Sequence, residues 1–221
     1  NGTAGFSSEV NTTVAVPTTP WPIDVNADGR DDLVYSSSTT SGSGTWRVMF
    51  ANASGGYNAP LNTGVTNTNY AGATPIDYNG DGFGDLLVPY SGGTWWVMTG
   101  SASGLAAPFN TSAPATVTGT SVRAMDVDGD GLDDLVWADH VGYSGGEAIR
   151  YRWRTPGGAT GFSSAIAVLV APYPLNHRIE LGVFGPIGQP MARRIPDFNG
   201  DGRGDVVFRH TERVPIDGTV P

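Results

Sequence analysis

The sequence contains no cysteine, so neither a disulfide nor a thiol-based redox or metal site is available to it. It also lacks an apolar run long enough to span a bilayer, which argues against membrane insertion. Basic residues are scarce: 12 Lys and Arg stand against 21 Asp and Glu, a net charge of -9. Because phosphate binding needs a basic surface, nucleic acid is excluded as a partner.

Helical periodicity is missing too, since no extended stretch repeats its apolar residues with a 3.6-residue period. Glycine and proline make up about a fifth of the chain, with 32 Gly and 16 Pro. The apolar runs are rich in Val, Thr, Tyr, Trp and Phe, which favour strands. The sequence therefore predicts an all-β fold of many short strands. Its first residues, NGTAGFSSEV, show no initiator Met and no signal-peptide pattern, so a mature protein or an excised fragment is expected.

What the sequence does have is an Asp-rich tract that occurs four times. The tract DVDGDGLDDLVW begins at Asp126, and close variants are DVNADGRDDLVY from Asp24, DYNGDGFGDLLV from Asp77 and DFNGDGRGDVVF from Asp197. These four loops carry 15 of the 21 acidic residues. Such a local concentration of like charge indicates cation binding.

The loops recur at steps of 53, 49 and 71 residues, and other landmarks recur with them. A Trp-rich or aromatic segment follows each of the first three loops (TWRVMF, TWWVMT and AIRYRW), and a Gly followed by a large residue comes next, as in Gly56-Tyr57, Gly104-Leu105 and Gly161-Phe162. We interpret each unit as four strands: one before the loop, one after it, the aromatic segment and the Gly-aromatic segment. Four-stranded units of about 50 residues are typical of β-propeller blades.

The whole chain, 1–221, is therefore predicted to be a single partial β-propeller domain. Its predicted parts are the last strand of a preceding blade (1–16), blades at 20–62, 71–110 and 121–168, an insertion near 169–190 and an incomplete blade at 191–221. Either the chain is cut from a larger propeller or its first strand completes the last blade. We favour the fragment.

Numbering each loop from its first Asp places side-chain oxygens at positions 1, 3, 5 and 9 and a Gly at position 6, where a sharp turn is needed. The carbonyl at position 7 is the expected further ligand. The predicted ligands are Asp24, Asn26, Asp28, Arg30 and Asp32; Asp77, Asn79, Asp81, Phe83 and Asp85; Asp126, Asp128, Asp130, Leu132 and Asp134; and Asp197, Asn199, Asp201, Arg203 and Asp205. An all-oxygen set favours Ca²⁺, about four ions in all. The third loop alone offers four side-chain carboxylates, so it is expected to bind most tightly.

The EF-hand is a rival explanation of the loops, and it fails at position 12. An EF-hand places a bidentate Glu there, whereas this chain has Tyr35, Val88, Trp137 and Phe208. Positions 10 to 12 are apolar and strand-forming, so a strand is expected after each loop. Dockerin-type repeats fail for the same reason.

The pattern D-x-(D/N)-x-D-G-x-x-D-(L/V), recurring about every 50 residues, resembles the FG-GAP or VCBS-type repeat over roughly residues 4 to 210. That repeat builds the calcium-binding propeller of integrin α chains, which act in cell adhesion, and of bacterial surface, lectin and toxin proteins, including those of the SpvB or Rhs type. The resemblance implies a calcium-binding, non-catalytic module for recognition or scaffolding in a secreted or cell-surface protein. Its expected partners are a protein or glycan ligand and other domains of a larger parent.

A lectin is the first alternative, because Trp46, Trp95, Trp96 and Trp153 recur at the predicted third strand. Packing between blades accounts for one aromatic residue per blade. Trp95 and Trp96 are adjacent and face opposite sides of a strand, so one of them is available to stack on a sugar ring.

An enzyme with its active site at the propeller mouth is the second alternative. The segment Gly142–Gly146 (GYSGG) has the form of a hydrolase nucleophile elbow, with Asp139 and His140 nearby. That elbow requires a strand followed by a helix, and here another strand is predicted, so we assign no catalytic residue. The RGD at 203–205 is a chance match, since Asp205 is a predicted metal ligand.

Overall fold

Every named element among the residues that the structure describes is a β-strand, which confirms the all-β prediction. The computed structural model describes residues 16–40, 42–66, 72–90, 92–115, 122–140, 147–152, 161–163, 166–171, 177–181, 199–200 and 208–212. Within these ranges there is no helix of the length and apolarity that crossing a bilayer requires.

Three four-stranded antiparallel sheets follow one another along the chain, each with its strands in sequence order. The first sheet contains β1 (Trp21–Ile23), β2 (Asp32–Ser36), β3 (Thr45–Met49) and β4 (Leu61–Thr66). The second contains β5 (Thr74–Ile76), β6 (Asp85–Tyr90), β7 (Thr94–Met98) and β8 (Phe109–Pro114). The third contains β9 (Arg123–Met125), β10 (Asp134–His140), β11 (Glu147–Arg152) and β12 (Ile166–Ala171). Each Asp-rich loop joins the first two strands of its sheet, as predicted, and the sheets have the form of propeller-type blades.

The fourth strand of each sheet begins later in the chain than the Gly-aromatic landmark predicted. The Gly-aromatic landmark Gly56-Tyr57 lies in a turn, where Tyr57 forms an isolated bridge with Ala51, and β4 begins only at Leu61. Both β4 and β8 have largely polar sequences (LNTGVT and FNTSAP), so they lack an apolar pattern by which to locate them.

The predicted insertion near 169–190 is partly built from strands. Its first residues belong to β12, and β13 (His177–Leu181) lies within it. β13 pairs with β14 (Phe208–Glu212), the strand that follows the fourth loop, from His177 opposite Glu212 to Leu181 opposite Phe208.

Strand alternation divides the apolar residues of the second sheet between two cores. Leu86, Val88 and Met98 pack toward the first sheet, whereas their neighbours Leu87 and Val97 pack toward the third. The first core comprises Ile23, Val25, Val34, Trp46, Val48, Ala73, Leu86, Val88, Met98 and Leu105. The second comprises Ile76, Tyr78, Leu87, Trp95, Val97, Ala113, Val122, Leu135 and Trp137.

The two cores contain the recurring tryptophans, as the spacing of one per blade predicted. Trp46 is 1% exposed in the first core and Trp95 is 5% exposed in the second. Trp96 faces the opposite way, is half-buried at the edge of the first core and stacks on Tyr90. Trp153 lies outside the described residues.

Candidate metal centre

The tip of each of the first three loops is a ladder of side-chain to main-chain hydrogen bonds. We call these the first loop (24–32), the second loop (77–85) and the third loop (126–134). In every one, the position-5 amide donates to the side-chain oxygen of position 3, and the position-7 amide donates to the carboxylate of position 5. The bonds are Asp28 N to Asn26 Oδ1 (3.1 Å) and Arg30 N to Asp28 Oδ1 (3.0 Å); Asp81 N to Asn79 Oδ1 (3.2 Å) and Phe83 N to Asp81 Oδ1 (2.8 Å); Asp130 N to Asp128 Oδ1 (3.2 Å) and Leu132 N to Asp130 Oδ1 (2.8 Å). The predicted side chains at positions 3 and 5 are therefore brought together.

Two residues of each loop adopt left-handed backbone conformations, which explains the turn. Position 6 is the predicted Gly, with φ from 84° at Gly29 to 92° at Gly82. Position 4 is also left-handed, and it is Gly80 in the second loop but Ala27, with φ 57°, in the first. Sequence reasoning missed position 4 because this alanine interrupts the glycine pattern.

The position-1 carboxylate is held by amides of its own loop. Asp24 accepts hydrogen bonds from Asp28 N at 3.0 Å and Gly29 N at 2.9 Å, one on each oxygen. Asp126 accepts from the amides of positions 4, 5 and 6 of the third loop, at 2.7, 3.2 and 2.9 Å. These amide donors stabilise the negative charge and fix the carboxylate at the centre of the turn.

The third loop brings three carboxylates to one point. Oxygens of Asp126, Asp128 and Asp130 all lie within 4.8 Å of one another, with Asp126 buried and the other two exposed. Side chains of this kind at this separation fit a divalent, oxygen-preferring cation, and no His or Cys is part of the cluster. In the first loop the position-3 amide takes the place of one carboxylate, and Asn26 Nδ2 donates to Asp28 Oδ2 at 3.2 Å.

The position-9 aspartates have a second task that the sequence did not reveal. Asp32 and Asp85 are fully buried and Asp134 is 1% exposed. Each accepts a hydrogen bond from the position-2 amide of its loop, and the first two also accept one from the chain just after the third strand. The bonds run from Val25 N (3.1 Å) and Ala51 N (2.8 Å) to Asp32, from Tyr78 N (2.9 Å) and Gly100 N (2.6 Å) to Asp85, and from Val127 N (3.0 Å) to Asp134. Position 9 thus anchors the loop to its sheet, and its role as a metal ligand stays a prediction.

Burial makes two of these anchors, Asp32 and Asp85, hard to ionise. Loss of solvation raises the pKa of Asp32 to about 6 and that of Asp85 to about 7; their amide donors lower the pKa in part, and the loop carboxylates raise it further. A nearby cation acts in the opposite direction, because an opposite charge favours the ionised carboxylate.

Arg30 distinguishes the first loop. Its guanidinium forms an ion pair with Asp28 at 2.6 Å, with 46% of the arginine side chain exposed. The same position is Phe83 in the second loop and Leu132 in the third, neither of which carries a charge. A predicted ligand of the first loop is therefore partly neutralised by the protein itself.

Several predicted residues lie outside the described ranges, including Asp197, Asp201, Arg203 and Asp205 of the fourth loop and the segment 141–146. Of the fourth loop's predicted ligands, Asn199 is described; it is exposed and lies in a bend. On either side of the segment 141–146, β10 and β11 pair as antiparallel strands, whereas a nucleophile elbow joins a strand to a helix.

A protein-family model described as an FG-GAP-like repeat matches residues 24–88 and, again, residues 77–137. Each match starts at the first Asp of one loop and ends in the strand after the next loop, and together they cover more than half of the 221 residues. No curated protein matches the chain. Among solved structures, the Photorhabdus luminescens Tc holotoxin pore is similar over 74% of this chain and 8% of the toxin chain, with 18% identity and a TM-score of 0.45.

Proposed function

The chain belongs to the FG-GAP-like repeat family, and from this premise we propose that it is a calcium-binding, non-catalytic β-propeller module. It serves recognition or scaffolding in a secreted or cell-surface protein, next to other domains of a larger parent.

The observation that carries the calcium proposal is the carboxylate cluster of Asp126, Asp128 and Asp130, whose oxygens lie within 4.8 Å of one another. Three such charges at a loop tip repel one another unless a cation lies among them. The matching hydrogen-bond ladders of the first and second loops extend the proposal to them. There Asp24, Asn26 and Asp28, or Asp77, Asn79 and Asp81, supply the side-chain oxygens.

The bound ion acts as a folding ligand. It binds the native loop, whereas in the unfolded chain the same carboxylates are dispersed. A single site at 100 times its dissociation constant gains about 2.7 kcal/mol of stability. Because each loop joins two strands of a sheet, this energy stabilises the sheets and the cores between them.

The test is calcium addition and chelation on the intact chain. We expect native mass spectrometry in millimolar calcium to detect bound ions and differential scanning calorimetry to show a melting temperature that falls on chelation and recovers with calcium. Magnesium serves as the control cation and is expected to restore less of the lost stability. An absence of bound metal, with identical melting in calcium and chelator, would refute the proposal.

The non-catalytic part of the proposal is supported by the use of the buried carboxylates. Asp32, Asp85 and Asp134 accept main-chain hydrogen bonds within their own sheets. The antiparallel pairing of β10 with β11 also supports it, since a hydrolase elbow joins a strand to a helix. A hydrolytic activity lost in Ser144→Ala would contradict a non-catalytic role.

Glycan recognition is a second candidate, favoured by the stacked pair of Tyr90 and Trp96. Their ring centroids lie 4.4 Å apart with an interplanar angle of 26°, and both residues are half-buried. The Trp96 indole also donates to Thr94 Oγ1 at 3.1 Å, which fixes its ring. A glycan array tests this candidate, with Tyr90→Ala expected to abolish any signal; an array without signal would remove it.

A further inference from the structure

Consecutive loops are joined by a repeated hydrogen bond that involves position 8, which is not a predicted ligand. At the first junction, Gly84 N in the second loop donates to the carbonyl of Asp24, the position-1 residue of the first loop, at 2.7 Å. At the second junction, Asp133 N in the third loop donates to the carbonyl of Asp77 at 3.1 Å. The main chain of a predicted ligand residue is thus held by the following loop in both cases.

The second junction has an additional hydrogen bond. The first junction cannot form it, because its position-8 residue, Gly84, has no side chain. The Asp133 carboxylate accepts a hydrogen bond from Asp77 N at 2.6 Å. Asp133 therefore binds both main-chain groups of Asp77. Hydrogen bonds to an ionised acceptor are roughly twice as strong as neutral ones, so this second bond adds much of the strength of the contact.

The same two loops also touch at their tips. A Cβ placed on Gly80 of the second loop would lie 2.8 Å from the carbonyl oxygen of Gly131 and 2.9 Å from Leu132 Cδ2 of the third. The corresponding residue of the first loop is Ala27, which already carries a Cβ and is exposed. The second and third loops are therefore packed as one unit at two separate points.

We propose that Asp133 is a positioning residue that couples the second and third cation sites, so that an ion bound at either one raises the affinity of the other. The proposal rests on the proposed calcium binding. An ion in the second loop fixes Asp77, and Asp77 in turn fixes Asp133, which directly precedes the anchor Asp134. Such coupling is reciprocal by thermodynamic necessity. The first loop shares less of it, because Gly84 provides only a single neutral bond.

The experiment is a calcium titration of the intact chain read by the amide resonances of the position-6 glycines Gly29, Gly82 and Gly131, one from each loop. Asp133→Ala is expected to move the Gly82 midpoint to about five-fold or more higher calcium, while the Gly29 midpoint stays within about two-fold. Asp133→Asn keeps a neutral oxygen acceptor for Asp77 N and is expected to restore part of the affinity that Asp133→Ala loses. This rescue distinguishes positioning from a general loss of stability.

Asp31 provides the matched control, since it is the same residue at the same loop position. It is exposed and forms no hydrogen bond with any residue that the structure describes. Asp31→Ala is expected to leave the Gly82 and Gly131 midpoints unchanged, and an equal shift in both alanine variants would overturn the proposal.

A second arm needs no change at Asp133 and decides the question if Asp133→Ala fails to fold. Asp130→Ala in the third loop should raise the calcium midpoint of Gly82 by some factor. Asp81→Ala in the second loop should raise the calcium midpoint of Gly131 by the same factor, because the coupling is reciprocal. If Asp130→Ala leaves the calcium midpoint of the Gly82 resonance unchanged, the coupling is refuted while calcium binding stands. If no glycine resonance responds to millimolar calcium, the proposed function itself fails.

Discussion

The first and third loops have the same backbone path, but they balance their charge differently. The first has Asn26 at position 3 and an arginine, Arg30, paired with Asp28. The third has carboxylates at positions 1, 3 and 5 within 4.8 Å of one another. A cation bound in the first loop would have to compete with the ion pair of Arg30 and Asp28.

The first and third loops also differ in their contacts with the second loop, which lies between them. The first loop contributes a carbonyl to Gly84, whereas the third holds Asp77 through both the amide and the carboxylate of Asp133. Positions 4 and 6 shape the turn in both loops, whereas positions 3, 7 and 8 set the charge of each loop and its connection to the next.

The largest expected effect comes from removing one carboxylate at the loop tip. Asp130→Ala should abolish the calcium-dependent stabilisation of the third loop, about 2.7 kcal/mol at 100 times the dissociation constant. Asp28→Ala should cost less, because Arg30 already offsets the charge of Asp28. Calorimetry of both variants in calcium and in chelator measures the difference.

The same measurement on Asp81→Ala completes the ranking, since the second loop has an Asn at position 3 and an uncharged residue at position 7. If Asp130→Ala reduces the calcium effect less than either Asp81→Ala or Asp28→Ala, the expectation that the third loop binds most tightly is wrong.

The next effect tests how closely the first junction is packed. In Gly84→Ala, the new Cβ would meet Ile23 Cγ2 and lie 2.9 Å from the Asp24 carbonyl oxygen. Overpacking of this kind typically costs about 1–3 kcal/mol, and urea unfolding in chelator measures it without a contribution from calcium.

Gly56→Ala is the control for this change. A Cβ there would meet its nearest atom, in Asn52, at 3.7 Å, and the variant should stay within about 0.5 kcal/mol of the native protein. An equally small effect at Gly84 would show that the first junction is loose, and the contrast between the two junctions would then widen.

The sequence predicted the parts of this arrangement that depend on local pattern. The Gly at position 6, the strand after each loop, and the burial of Trp46 and of one member of the pair Trp95 and Trp96 all follow from residue type and spacing. The contact of Asp77 with Asp133 joins residues 56 positions apart, and it depends on how neighbouring sheets pack. No spacing rule within one loop contains that information.

The sequence did not predict the double role of position 9, and the reason is a different one. An Asp in a ligand pattern gives no sign that its oxygens also accept hydrogen bonds from amides of its own sheet, as those of Asp32 and Asp85 do.

The position of the polar strand β4 was not predicted because most of its residues are exposed, so its sequence has no alternating apolar pattern.

A further effect is expected from pH, and it compares the anchors. In the folded state the pKa of Asp32 is raised to about 6 and that of Asp85 to about 7, so both hold a proton more tightly than in the unfolded chain. The stability gained from the protonated form is complete below about pH 4 and is lost as the pH rises to between 6 and 7. The unfolding free energy of the calcium-free protein should therefore fall across that range.

Urea titrations in calcium-free buffer at several pH values measure this slope. Asp85→Asn should flatten its upper part and Asp32→Asn its lower part, since the two groups differ in pKa. A calcium-free stability that instead rises between about pH 4 and 7 would mean that the anchors are ionised in the folded protein and that the amide donors outweigh burial.

The smallest effect concerns the residue that most clearly separates the first loop from the third. Arg30→Leu gives the first loop the position-7 residue of the third and removes the ion pair with Asp28. Because exposed ion pairs contribute at most about 1 kcal/mol, the affinity of the first loop for calcium should rise by at most about five-fold, as read from the Gly29 resonance. Arg30→Lys, which keeps the charge, should leave the affinity near its native value. A first loop that binds more weakly after Arg30→Leu would show that the guanidinium holds Asp28 in place for the ion, and its positive charge would then count as support for the site.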